Sequence, residues 1–397
     1  MQNFEFYSPT KMIFGADTQA TLSKHIADFG GSRILLHYGG NSALKSGLID
    51  ELRNQLKTAN IHFVELGGVL PNPRLKLVRE GIDLCRIHNL DMIIAVGGGS
   101  VIDSAKAIGV GVKYTAGDVW DLFTQKATPT DCLPIGCILT IASAGSESSK
   151  SCVIRNEDEP TKRGILTDII RPKFAILNPE LTYGLSPFQL ACGISDIIMH
   201  TLDRYFTDAT ATDITDRISE GLISTVMAHG TVVMKDPEHY PSHANIMWAG
   251  SLSHNTLTGL GKPFDFSVHA LERGVSGGFD TAHAAGLTAL WGHWARFVYK
   301  DNLMKFCQFA VNVHGVEMDF ENPEKTAMLG IEKMEAFFKS INMPTTLRKL
   351  MADSLLTAKN IDAIANYATA NGTVTVGTFR KLNKSEVIKI LNNSINF

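Results

Sequence analysis

Between Arg33 and Asn178 the chain alternates short apolar runs with amphipathic stretches, and this alternation restricts its fold more than any other feature. Residues 33–38, 62–66, 92–96, 134–140 and 173–178 are short, apolar and rich in β-branched side chains, the signature of buried strands. Residues 42–59, 74–88 and 101–112 carry apolar positions at helical spacing. Strands separated by helices and short Gly/Pro connections build a parallel sheet covered by helices on both faces. Residues 151–167 depart from the pattern: two short runs flank the polar Arg155-Asn156-Glu157-Asp158-Glu159-Pro160, as expected of a hairpin.

The pattern changes after Leu185. Ser186-Pro187 has the form of a helix start, with serine as cap and proline in the first turn. Beyond it no run reads as a strand, and residues 187–206, 212–234, 239–255, 283–298 and 331–341 have helical spacing. A chain of 397 residues exceeds one ordinary core. The expectation is an α/β domain over 1–184, a parallel sheet flanked by helices, followed by an all-α domain over 185–397, with the boundary near residues 182–186.

Composition narrows the class of function. Hydrophobic residues make up 44% and charged residues 19%, with a net charge of -3 and no basic patch, which argues against a nucleic-acid partner. The six cysteines form no Cys-x-x-Cys pair, which argues for free thiols over a zinc ribbon. The N-terminus lacks a basic region followed by an apolar core, and no stretch approaches the ~20 apolar residues of a membrane span. A soluble, cytoplasmic protein is expected.

Two glycine clusters follow strands. Residues 90–96 run into Gly97-Gly98-Gly99-Ser100, and a helix then begins at Val101. Glycines let the backbone turn sharply and approach a ligand, and a helix N-terminus offers unpaired N–H groups to a diphosphate. Neither Gly-x-Gly-x-x-Gly nor a P-loop is present, so a ligand cradle and a plain strand–helix turn both remain open here. The second cluster is Tyr38-Gly39-Gly40-Asn41-Ser42. An acid after such a strand ordinarily accepts the ribose hydroxyls of NAD. None is present; Gly40 and Ser42 leave room for a 2′-phosphate, and Lys45 adds charge. This favours NADP, with a helix cap at Ser42 compatible with it.

Asp196 and His200 stand four apart in the expected helix 187–206, on one face and one turn from each other. His269 and His283 lie far downstream. One carboxylate and three imidazoles form a borderline N/O set for Fe(II) or Zn(II). Spacing alone supports only the first pair, and His254 and His293 are equally eligible on composition.

Taken in order, these residues resemble the iron-containing (group III) alcohol dehydrogenase family along nearly the whole chain. Phe6-Tyr7-Ser8-Pro9-Thr10-Lys11-Met12-Ile13-Phe14-Gly15 is similar to its opening strand, Pro71-Asn72-Pro73 to its Pro-Asn-Pro turn, and the run from Gly97 to Lys106 to its diphosphate motif. Thr140 with Gly145-Ser146-Glu147, and Leu177-Asn178-Pro179-Glu180-Leu181-Thr182, continue the match. Gly193-x-x-Asp196-x-x-x-His200, His269 and His283 fall on its four metal positions, and residues 283–299 are closest to its butanol dehydrogenase and broad-range aldehyde reductase branch.

The resemblance implies a dinucleotide-binding first domain and a metal-binding helical second domain. It places the diphosphate on Gly98, Gly99 and Ser100, with Asp103 near the nicotinamide-side phosphate or ribose. Thr140, Ser143 and Lys162 would line the cofactor cleft between the domains, and Asn72 would face the cofactor. It further implies NADP (with NAD possible), Fe2+ or Zn2+ on Asp196, His200, His269 and His283, a small alcohol or aldehyde substrate, and a homodimer. The metal would act as a Lewis acid on the alcohol or carbonyl oxygen while hydride passes to or from the nicotinamide.

Two departures stand out. The family's His-x-x-Glu-His reads His269-Ala270-Leu271-Glu272-Arg273, which removes its proposed proton-relay histidine, and Ser149 replaces an asparagine. A glycerol-type polyol dehydrogenase is the nearest alternative. A lyase resembling dehydroquinate synthase would need a denser Lys/Arg cluster than Arg273 and Lys262, and a metallohydrolase would need His-Glu-x-x-His. A non-catalytic binding protein on an enzyme scaffold has only the missing relay histidine in its favour.

Overall fold

The computed structural model describes residues 1–159 and 161–396, the side chains of Asn41, Ser42 and Asn396 excepted. Its strands are β1 (Lys11–Phe14), β2 (Arg33–Gly39), β3 (His62–Val69), β4 (Met92–Gly97), β5 (Ile135–Leu139), β6 (Ser151–Asn156), β7 (Thr161–Leu166) and β8 (Phe174–Leu177). The helices among them are α1 (Leu22–Asp28), α2 (Asn41–Lys45), α3 (Leu48–Thr58), α4 (Leu75–Ile87), α5 (Gly99–Lys113) and α6 (Trp120–Phe123). Then follow α7 (Pro187–Tyr205), α8 (Asp213–Val233), α9 (Tyr240–His254), α10 (Ser267–Phe279), α11 (His283–Val298), α12 (Leu303–His314), α13 (Pro323–Ser340), α14 (Leu347–Leu350), α15 (Ala358–Ala368) and α16 (Lys384–Asn396). The chain divides into two compact units, one α/β and one helical.

The α/β unit spans Tyr7–Ser186 and Glu238–Asn255. Six strands form one sheet in the order β1-β8-β5-β4-β2-β3, and every neighbouring pair is parallel. β4 is buried along its whole length, as the central strand of such a sheet must be. Ile34, Leu36, Tyr38, Ile94 and Val96 pack with Ile26 of α1 and Ile49, Leu52 and Leu56 of α3. From β2 the chain crosses outward to β3, then back past β2 to β4. With right-handed crossovers, these two connections put their helices on opposite faces of the sheet. The point where the winding reverses therefore lies between β2 and β4, whose register pairs Tyr38 with Val96. Ligands of open α/β sheets bind at the carboxyl ends of strands at such a point. Both glycine clusters sit there.

The helical unit comprises Met1–Phe6, Pro187–Pro237 and the chain from Thr256 onward. Helix α11 buries nearly every side chain from Ala284 to Ala295. An aromatic cluster fills the interior: Phe206 stacks on Phe306 with centroids 4.3 Å apart and meets Trp294 and Phe309 edge-on. Beside it lies a closed charge network. Lys262 and Lys305 donate to the two oxygens of Asp216 at 2.5 and 2.6 Å, Lys305 sits 3.9 Å over the Tyr205 ring, and the Tyr205 hydroxyl donates to Glu220. Burial alone would push the Asp216 carboxyl up, but the two ammonium groups outweigh it and hold it below the usual carboxylate range.

The division differs from a single cut at residues 184/185 in two places. Residues 1–6 lie with the helical unit, where Gln2 N donates to Gly261 O and the terminal amine to Thr210 O. Helix α9 lies with the α/β unit. Its His243 pairs with Thr182 at 2.6 Å, Ser251 Oγ donates to Glu147 at 2.5 Å, and Ser148 Oγ donates to Ser251 O. The expected helix 42–59 is interrupted because Gly47 adopts φ 80, which splits it into α2 and α3. The hairpin expected over 151–167 is β6 and β7; Pro160, in its turn, lies outside the described residues.

Asp216 serves two lysine ammonium groups, and the Lys262 side chain is fully enclosed. Asp216→Asn removes the carboxylate that both ammonium groups bond, and the expected cost is about 3–5 kcal/mol. A lowered melting midpoint, with the fold retained by far-UV circular dichroism, is the result to measure.

Candidate metal and cofactor sites

Helix α7 is buried on nearly all sides, yet Asp196, His200 and Asp203 project from it on one face, spaced by four and three residues. Asp196 and His200 face each other, Oδ1 to Nε2, at 3.6 Å. His269 enters from the first turn of α10 and His283 from the first residue of α11. The rings of His200 and His269 have centroids 4.4 Å apart, and His283 Nε2 lies 3.9 Å from Asp196 Oδ1. Each of the four offers one ligand atom, and these atoms all lie within 4.8 Å of one another. Four ligands ~2.1 Å from one tetrahedral ion lie ~3.4 Å apart, so a contraction of up to about 1.4 Å at the widest pair forms a coordination sphere. Asp196, His200 and His269 are buried, whereas the His283 side chain is 33% exposed and leaves that side open.

His269 shows the electronic state of the cluster. Its Nδ1 lies 2.6 Å from Asp203 Oδ2, and the same oxygen accepts the His269 backbone N–H at 3.3 Å. An oxygen already accepting one N–H accepts the ring proton as well, so Nδ1 carries the hydrogen and Nε2 the lone pair. Burial, with His283 beside it, holds the imidazole pKa well below its usual value, so the ring is neutral. Nε2 is buried and has no hydrogen-bond partner among the described residues. An unused imidazole lone pair facing a carboxylate and two more imidazoles fits a divalent cation.

Two further residues shape this pocket. Phe266 takes φ 51, a left-handed conformation uncommon for an aromatic residue. Its ring lies 5.1 Å from that of His269, with the Arg204 guanidinium 4.7 Å from its centroid. Arg273, in the expected relay-histidine position, is exposed on α10.

In the α/β unit, Gly98 caps α5, and Gly99 and Ser100 form its first turn. A Cβ on Gly98 would collide with the Ile141 side chain, so any other residue in this turn requires Ile141 to move. Thr140 follows β5 and donates its N–H to Gly97 O, which brings it beside the turn, and Ser143 lies in the loop beyond. Gly40 follows β2 in open space, with nothing within 4 Å of a Cβ placed there. Ser42 lies in the first turn of the short α2, and its side chain lies outside the described ones. Asn72 takes φ 59 in a turn tied to β6 by Arg155 N–H donating to Pro73 O, and Lys162 is buried on β7 opposite Arg155.

Asp103, expected near the nicotinamide-side phosphate or ribose, is bonded within the protein. Its oxygens accept Ser146 Oγ–H at 2.6 Å and Val153 N–H at 2.9 Å. Lys106, one turn on, donates to the carbonyls of Ser146, Ser149 and Ser151. The pair fastens the loop beside the glycine turn to α5. Sequence reasoning missed this, and it missed Asp203 and Phe266. Asp203 had a signal, since it continues the face of α7 begun by Asp196 and His200; Phe266 had none.

Known proteins resemble the chain along its whole length. The family model described as iron-containing alcohol dehydrogenase matches residues 9–179, and that of the Fe-containing alcohol dehydrogenase family, C-terminal, matches 190–395. The chain is 38% identical to the probable NADH-dependent butanol dehydrogenase 1 of Bacillus subtilis, over 100% of both chains. It is 31% identical to the NADPH-dependent aldehyde reductase YqhD of Escherichia coli, over 95% of each. The crystal structure of NADH-dependent butanol dehydrogenase A from Thermotoga maritima superposes with a TM-score of 0.94 at 32% identity, covering 99% of both chains. These names carry different nicotinamide cofactors, so the expectation that butanol-type relatives share a preference for NADPH does not hold for all of them. With both family models matched and full-length relatives above 30% identity, the chain belongs to the iron-containing alcohol dehydrogenase family and is an oxidoreductase.

Proposed function

We propose that the helical unit holds one divalent cation, Fe2+ or Zn2+, on Asp196, His200, His269 and His283. The α/β unit binds NADP(H) at the glycine turn, and the enzyme interconverts small primary alcohols and aldehydes. The observation that carries this reading is the buried, unpartnered Nε2 of a neutral His269 within reach of three other ligand atoms. When bound, the cation supplies Lewis acidity toward the alcohol or carbonyl oxygen, and the nicotinamide supplies or accepts hydride.

The protein's own groups have separable tasks. Asp196 contributes the ligand negative charge, and the three imidazoles remain neutral donors. Phe266 covers His200 and His269 on one side and keeps water from them. The open side at His283 admits the substrate. Gly98, Gly99 and Ser100 present backbone N–H groups to the diphosphate. Thr140, Ser143, Asn72 and Lys162 line the same cofactor site, with Asp103 near the nicotinamide-side phosphate or ribose.

Butanol-type chemistry is supported by relatives named for butanol dehydrogenation and aldehyde reduction. The preference for NADP rests on the absence of an acid after β2. A cytoplasmic location fits six free cysteines, and no helix among the described residues is long and apolar enough to cross a membrane. A homodimer fits the edge position of β1, where Phe14 and Trp248 are both more than 40% exposed and pack edge-on at 6.2 Å.

Three measurements test this reading. His269→Ala should lower bound metal, by elemental analysis, to background and abolish aldehyde reduction; unchanged metal and turnover would remove His269 from the site. The parent should favour NADPH over NADH, and Gly40→Asp, sterically free, should shift kcat/KM toward NADH by roughly 10- to 100-fold through a charge-assisted bond to the ribose. A parent that prefers NADH contradicts the cofactor assignment. Light scattering should give twice the chain mass.

A further inference from the structure

Two of the three ligand imidazoles are held from behind by carboxylates that are themselves completely buried. Asp203 Oδ2 lies 2.6 Å from His269 Nδ1, and Glu272 Oε2 makes a short hydrogen bond with His283 Nδ1. Neither belongs to the four-residue cluster. Each comes from the helix that carries the preceding ligand: Asp203 lies one turn beyond His200 on α7, and Glu272 one turn beyond His269 on α10. Thus α7 holds the ligand of α10, and α10 holds the ligand of α11. Asp196 of α7 closes the ring by facing His283 of α11.

Burying two extra carboxylates is unfavourable unless something in the site needs them. Space has been made for one of them. Gly286, inside α11, faces Glu272, and a Cβ there would lie 2.7 Å from Glu272 Cγ. Glycine is a poor residue for a helix interior, so its presence here fits the need to admit that side chain. A carboxylate on Nδ1 fixes ring rotation, sets the tautomer and makes Nε2 a better donor.

We infer that Asp203 and Glu272 are positioning residues that hold His269 and His283 with Nε2 presented to the cation. This rests on the metal-site reading above. In a pure fold-supporting role, their removal would lower stability and leave the affinity of the site for a metal ion unchanged.

The test uses the full chain, stripped and reloaded with Zn2+ or Co2+ alone. Affinity is read by chelator competition and ligand geometry by the visible absorption of bound Co2+. Asp203→Ala and Glu272→Ala should weaken binding roughly 10- to 100-fold. Asp203→Asn and Glu272→Gln, whose amide oxygen still accepts Nδ1–H, should recover part of the loss. Gly286→Ala changes no polar group and adds a better helix former, yet should speed Zn2+ release and alter the Co2+ spectrum by displacing Glu272. Parent-like affinity and Co2+ spectra in folded Asp203→Ala, Glu272→Ala and Gly286→Ala would overturn the inference, even with lower melting midpoints. His269→Ala runs alongside: if it binds Zn2+ as tightly as the parent, the four-ligand assignment is what fails.

Discussion

Helix α7 carries a carboxylate, an imidazole and a second carboxylate on one face of an otherwise apolar, enclosed rod, and the helical unit is organised around that burden. Each group would be costly to bury alone. The unit contains a useful contrast. Around Asp216, two ammonium groups, a carboxylate and the Tyr205 ring satisfy one another and present nothing outward. Around Asp196 all the groups but His283 are buried as well, and a lone pair on His269 is left over. Saturation marks the first cluster as architecture; the residual donor capacity leaves the second able to take a cation.

The α/β unit reaches its site by topology. The sheet reverses its winding between β2 and β4, and the glycines occupy the ends of those two strands. No Gly-x-Gly-x-x-Gly is required, because the physical needs are a close backbone approach and a helix N-terminus. Gly98 meets the first against Ile141, and α5 meets the second. Asp103 and Lys106 hold the neighbouring loop in place from inside the protein, so part of the diphosphate motif acts on the fold itself.

Much of this was legible in the residues, unevenly. Strands β2 to β5 and helix α7 announced themselves because they are continuous apolar or amphipathic runs whose period matches their structure. The pairing of Asp196 with His200 followed from helical spacing, but the choice of His269 and His283 came from family resemblance. Helix α10 was not legible: it contains three glycines, and its N-cap is Phe266 in a left-handed conformation, so no capping residue signals its start. Helix α13 was recognised only in its second half, although Asn322 caps it and Pro323 opens it. The partnership of Glu272 with His283 links two helices through side chains, and no local pattern encodes it.

The place of α9 bears on how the chain comes into being. Nascent domains generally fold as units in the order of synthesis. Here the sheet is complete in sequence by Leu177, but Glu147, Ser148 and Thr182 find their partners only on residues 243–251. Between them lie two helices that belong to the other unit. The α/β unit is therefore not a separable N-terminal fragment: a chain ending at Ser186 would leave the Glu147 carboxylate without the serine that caps it. Maturation of the nucleotide-binding half waits on the emergence of a segment threaded through its neighbour's sequence, which ties the two halves together in time.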